Sequence, residues 1–104
     1  MMTLRQIRHF IAVAETGSIS AAAQTAFISQ STLTLAIQQL EQEIGVGLFN
    51  RHAKGMTLTH QGHQFLRQAH LILATVDNAK RSLQQSTDQV AGQLIIGVTS
   101  LVAG

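Results

Sequence analysis

Cysteine, proline, tryptophan and tyrosine are all missing from these 104 residues, and only 12% of the chain is charged. Without cysteine there is no disulfide and no thiolate metal site, and a reducing compartment is the expected home. Without proline nothing in the chain forbids a long helix, and alanine, leucine, isoleucine and glutamine all favour one. Charge is scarce and 45% of the residues are hydrophobic, which excludes a disordered, solvated tail. No apolar run approaches the roughly 20 residues that cross a bilayer. The N-terminus also lacks the charged-then-apolar pattern of a signal peptide. A soluble, cytoplasmic protein is expected, built as one compact domain with a helical extension.

The net charge of +2 is a weak footprint for a polyanion partner, although the isoelectric point is near 10.0. Placement is more informative. Up to Thr59 the cations are Arg5, Arg8, Arg51 and Lys54, against Glu15, Glu41 and Glu43. Two of these cations share the short stretch "NRHAKG". A basic loop of this kind suits phosphate contact, and a solvated surface loop explains it equally well.

The apolar pattern divides the chain. Thr3 can cap a first helix in which Leu4, Ile7, Phe10, Ile11 and Ala14 form one stripe, with Gly17 as its stop. Ser18 or Ser20 can cap a short second helix through "SAAAQTA". Phe27 and Ile28 make a brief apolar link before Ser29 caps a third helix. The link has the length of the turn in a helix-turn-helix. In the third helix Leu33, Ile37, Leu40 and Ile44 fall on one arc, which marks the buried side. Opposite lie Ser31, Leu35, Gln38 and Gln42, flanked by Gln30 and Thr34. Then "LFNR" and "MTLT" flank "HAKG" and read as a β-hairpin. Three helices and a hairpin make a winged helix.

From Thr59 a helical pattern continues to about Gln89. Gly62, Leu66, Ala69, Leu73, Val76, Lys80 and Leu83 alternate by four and three as a heptad seam, broadened by Phe65, Ile72 and Ala79. A helix of that length would be about 45 Å long at 1.5 Å per residue. So long a stripe calls for a partner helix, and dimerisation is its expected use. Finally "LIIGV" (94–98) has the apolar, β-branched character of a buried strand, opening a further domain.

These residues resemble the N-terminal region of the LysR-type bacterial transcriptional regulators, from Leu4 to about Leu66. The markers are "FIAVAETGS", "SQSTLT", "LEQEIGVGLFNR" and "LTHQG", in this order and spacing. The resemblance implies a winged helix-turn-helix DNA-binding domain over 1–59 and a linker or dimerisation helix over 60–90. It implies a hinge and the first strand of an effector-binding domain over 91–104. Double-stranded DNA and a second copy of the chain are then the expected partners. A tetramer in the full-length protein and RNA polymerase are further candidates. No cofactor is expected, while a small-molecule effector of unknown identity would act on the full-length protein, with Thr99 and Ser100 as weak candidates for facing it. The dimerisation residues are Phe65, Leu66, Ala69, Ile72, Leu73, Val76 and Leu83. Two departures stand out. The family commonly has proline where this chain has Ser31, and often arginine, lysine or glutamine where it has Leu35.

By itself the polar side of the third helix could be a solvent face. The capped helix, the short turn and the basic hairpin behind it favour a reading surface. Glutamine pairs bidentately with adenine, hydroxyls bond bases or phosphates, and leucine packs on a thymine methyl. Gln30, Ser31 and Thr34 are therefore the first candidates for base contact, with Leu35 and Gln38 behind them. Ser29, Thr32, Arg51 and Lys54 are candidates for phosphate contact, which positions a protein without reading sequence. His60 and His63, three apart, with His70 a heptad further on, do not make a metal site without a carboxylate or cysteine beside them. No general base stands beside a nucleophile and no glycine loop cradles a phosphate, so catalysis is not expected. The alternative is a helical protein-interaction adaptor. Salt separates the two readings, because only DNA contact releases counterions.

Overall fold

The computed structural model describes the backbone of residues 1–96 and the side chains of residues 1–86. In chain order the elements are α1 (Leu4–Thr16), α2 (Ile19–Ala26), α3 (Gln30–Ile44), β1 (Phe49–His52), β2 (Gly55–Leu58) and α4 (His60–Ile96). Residues 1–71 form one compact unit, and the described residues from 72 to 96 belong to a second. The first is a mainly α winged helix-turn-helix, as the sequence pattern required.

Local chemistry sets the helix ends. At α1, Thr3 Oγ1 accepts from Gln6 N at 3.1 Å while the Gln6 side chain accepts from Thr3 N at 3.0 Å, a complete capping box. Ser18 Oγ accepts from Ala21 N, and Ser29 Oγ from Thr32 N. Gly17 and Gly45 end α1 and α3 in the left-handed region, at φ of 69° and 87°.

The core of the first unit lies where α1, α2 and α3 meet. Ile7, Phe10 and Val13 from α1, Ala22 and Ala23 from α2, and Leu33, Ile37 and Leu40 from α3 are all buried. The α1 stripe thus turns towards Val13, while Leu4 is 38% exposed and Ala14 is only half-buried. Two alanines on α2 let it approach its neighbours closely. Each fully buried large side chain contributes about 1.5–3 kcal/mol of transfer free energy. Phe10 also meets two rings, Phe49 at 5.3 Å and Phe65 edge-on at 4.8 Å between centroids. One buried ring thereby ties α1 to both the hairpin and the start of α4.

The strands pair antiparallel with Phe49 opposite Leu58 and His52 opposite Gly55, leaving Ala53 and Lys54 as the turn. Leu48, read from sequence as the first strand residue, instead sits fully buried just before it. The hairpin is pinned at both ends. Near its tip Met56 N donates to Gly17 O at 2.9 Å. Gly55 comes so close there that a Cβ would stand 2.5 Å from Gly17 O. At its base Glu41 Oε2 accepts from Leu48 N at 2.7 Å, and Leu48 O accepts from Thr59 N at 3.0 Å. Thr59 Oγ1 donates to Gly47 O and accepts from Gly62 N, which caps α4.

Two expectations need amendment. Of the residues expected on a dimer seam, Ala69 is 0% exposed within the single chain, and Phe65, half-buried, also packs on Phe10. A heptad repeat shows which side of a helix is apolar, and here the domain itself takes the first two turns of that side. The strand expected over "LIIGV" is also absent at its start, because Leu94, Ile95 and Ile96 close α4. A helix satisfies its own backbone hydrogen bonds, whereas a lone strand needs a neighbour. Gly97, Val98, Thr99 and Ser100 lie outside the described residues. In the second unit, Ile72, Leu73 and Val76 are half-buried and Leu83 is 70% exposed, and Arg81 pairs with Asp77 one turn away.

Candidate nucleic-acid interface

Burying Leu33, Ile37 and Leu40 forces the opposite side of α3 outward. Gln30, Ser31, Leu35 and Gln38 are exposed, with Leu35 at 53%. Thr34, ranked with the first two from sequence, is half-buried and less accessible. The helix start carries a cluster of hydroxyls. Ser29 Oγ donates to Thr32 Oγ1 at 2.7 Å, with Ser31 Oγ 3.2 Å away. Ser29 caps Thr32 N, and its carbonyl takes Leu33 N. The N–H groups of Gln30 and Ser31 are left without a protein acceptor, and the helix dipole adds partial positive charge there.

Residues 16–40 contain no ionisable side chain, so α2, the turn and most of α3 offer nothing to repel a phosphate. Cations stand around this neutral surface. Arg51 and Lys54 on the hairpin are exposed, and among the described residues no carboxylate pairs with either. His52 and Thr57 are bonded across the hairpin at 2.9 Å, bracing the backbone that carries both cations. The arrangement offers neutral donors and acceptors on a helix of groove-fitting width, with exposed cations on the hairpin that follows it.

Three further side chains stand beside this surface that the sequence pattern did not assign to it. Arg5 and His9 line a recess between α1 and α3 with Thr32, Leu35 and Gln39. Burial, and then the Arg5 charge, lower the His9 pKa below its usual 6.5. The usable signal was that neither residue belongs to the α1 stripe. Phe27, read as an apolar link, is 94% exposed. Among the described residues, no three His, Asp or Glu side chains gather into a group able to hold a metal ion. No described helix is long and apolar enough to cross a membrane.

Residues 4–63 match the family described as "Bacterial regulatory helix-turn-helix protein, lysR family". The chain belongs to the LysR family. Among its relatives, the HTH-type transcriptional regulator TfdT of Cupriavidus pinatubonensis is 44% identical over 89% of this chain and 41% of its own length. BsdA of Bacillus subtilis, also an HTH-type transcriptional regulator, is 40% identical over 94% of this chain and 34% of its own. This LysR chain therefore spans 34–41% of the length of these curated relatives. Among solved structures, the CbnR DBD–DNA complex superimposes with a TM-score of 0.80 at 38% identity, over 83% of this chain and 99% of the other. The BenM DBD complex with benA site 1 DNA gives 0.77 at 36% identity, over 81% and 98%. These LysR neighbours were solved with DNA bound, and the shared fold is the winged helix-turn-helix.

Proposed function

We propose that this chain is the DNA-binding part of a LysR-type transcriptional regulator, reading an interrupted palindromic operator as a dimer or higher oligomer. The observation that carries the reading is the outward side of α3. It is capped by Ser29, free of charge and exposed at Gln30, Ser31, Leu35 and Gln38, within a fold shared with DNA-bound relatives. In this reading α3 enters the major groove. Gln30 and Ser31 contact base edges, with Thr34, Leu35 and Gln38 beside them. Ser29, Thr32, Arg51 and Lys54 hold phosphates. Leu66, Ile72, Leu73, Val76 and Leu83 on α4 meet the same helix of a second copy. Two reading heads at fixed separation then multiply a modest single-site affinity.

The protein acts without catalysis, in the cytoplasm, and the remainder of the full-length regulator senses a small molecule, assembles tetramers and engages RNA polymerase. The two DNA-bound neighbours favour this reading over the adaptor alternative. The test is selection of bound duplexes from a random DNA pool by this chain, at low and moderate salt. Enrichment of an inverted repeat, with half-sites a whole number of helical turns apart, is expected. Failure to retain any duplex at low salt would refute it.

A further inference from the structure

Phe27 closes α2 in a conformation that suits it poorly. Ile28 N donates to Ala23 O at 3.1 Å and Phe27 N to Gln24 O at 3.3 Å, the two bonds of a Schellman motif. That motif needs a left-handed residue between the helix and the following chain. Phe27 supplies it at φ 58°, the only non-glycine residue with positive φ among those described. Glycine or asparagine would take the same place with less strain. The ring gives nothing back to the fold, since it is 94% exposed. A single exposed apolar residue is ordinary on a protein surface. A strained one at the corner of a helix-turn-helix, where a smaller residue would serve better, is not.

The next residues fix where the ring stands. Ile28 is half-buried at the position before the Ser29 cap, and Leu33, its partner position in a hydrophobic staple, is fully buried. The chain is thus held rigidly from Phe27 into α3. Phe27 lies three residues ahead of Gln30, on the same turn as the two free N–H groups at the helix start. No ionised side chain occurs within ten residues on either side of it.

We propose that Phe27 is a DNA-contact residue, packing its ring on the apolar C–H surface of the duplex, the deoxyribose and thymine methyl groups at the edge of the groove that α3 enters. This inference rests on the DNA-binding reading above. It also adds a second exposed apolar group, besides Leu35, to a neutral reading surface. A second copy of the chain is the competing occupant, and the continuity of Phe27 with the α3 surface, in a fold shared with DNA-bound relatives, favours DNA.

The experiment compares the parent chain with Phe27→Asn and Phe27→Leu, using duplex enriched from a random pool. Thermal unfolding and DNA affinity are measured together. Phe27→Asn relieves the left-handed strain and should raise Tm by a few degrees, since about 1 kcal/mol moves a small domain by about 4–8 °C. The same variant should bind DNA about fivefold to tenfold more weakly, while Phe27→Leu keeps most of the affinity. The dependence of affinity on salt should stay as in the parent, because an apolar contact releases no counterions. Unchanged DNA affinity in Phe27→Asn would overturn the inference, as would loss of self-association without loss of DNA binding. A lowered Tm would show that the ring serves the fold, and would overturn it too. If the parent retains no DNA at all, the functional reading fails and takes this inference with it.

Discussion

Substituting Gly62 by alanine sets two physical rules against each other. Gly62 lies in the first turn of α4, and by helix propensity alone alanine there should stabilise by about 1 kcal/mol. The packing opposes it. A Cβ at this position would stand 2.1 Å from Leu48 O and 3.0 Å from Leu58 Cδ2. The first neighbour is backbone, and it is already held, because Leu48 N donates to Glu41 and Leu48 O accepts from Thr59 N. Relief requires a shift of more than an ångström, judged against ordinary carbon–oxygen contacts of about 3.3 Å. Overpacking of this kind costs about 1–3 kcal/mol. Displacing the Thr59–Leu48 hydrogen bond adds about 0.5–1.5 kcal/mol. Even after the propensity gain the variant loses about 0.5–3.5 kcal/mol, a mid-range loss of about 2 kcal/mol lowering Tm by about 8–16 °C for a domain of this size. Thermal unfolding followed by circular dichroism measures it. Gly47→Ala is the control, since a Cβ there meets only Glu41 Oε2 at 3.9 Å. If Gly62→Ala melts with the parent or above it, the close approach of α4 to the hairpin base is wrong.

Gln30→Ala should cost about 1–3 kcal/mol of discrimination between operator and mismatched duplex, whereas Lys54→Ala should weaken all duplexes alike and lower the salt slope by about one. Competition binding separates them, and indistinguishable variants would dissolve the division between reading and positioning. Val76→Glu should raise the dimer dissociation constant at least about tenfold, read by sedimentation, because a seam residue would then carry a desolvated charge. His9 gives a pH dependence with a definite sign. Its folded pKa lies below the usual 6.5, so the unfolded chain binds the extra proton first as pH falls. The contribution of His9 to stability is therefore complete above pH 6.5 and falls on acidification through the folded pKa. The difference in Tm between the parent and His9→Gln should widen against the parent from pH 7.5 to pH 5, and a constant difference would refute it.

The winged helix could be read from sequence because its punctuation is local. Thr3, Ser18, Ser29, Gly17 and Gly45 each act on backbone groups within four residues of themselves, so side-chain chemistry was enough to find them. The buried side of α3 followed from period alone. What escaped depended on distant parts of the chain. Period gave the apolar side of α4 but could not say that Ala69 would be buried within the single chain or that Phe65 would pack on Phe10. Val13 displaced Ala14 from the core of α1 because the packing of α2 and α3 against it decides which flank of a broad stripe is covered. "LIIGV" carried a β preference in its residue types, yet Leu94–Ile96 lie in α4, and among the described residues no further strand is there to pair with them. For the candidate site, the residue types on α3 were readable, but the half-burial of Thr34 and the left-handed backbone of Phe27 are three-dimensional facts without a sequence signal.

The outward residues of α3 share no task with those that build the domain. The side chains of Gln30, Leu35 and Gln38 make no hydrogen bond among the described residues, and the caps and core belong to other positions. Replacing them leaves the folding free energy nearly untouched, since exposed substitutions away from special features stay within about 0.5 kcal/mol. With α3 reading the operator as proposed, a gene duplicate could therefore drift from one operator to another through single, individually tolerated changes. Descendants of this scaffold can thus diverge in the promoters they serve while remaining interchangeable in architecture.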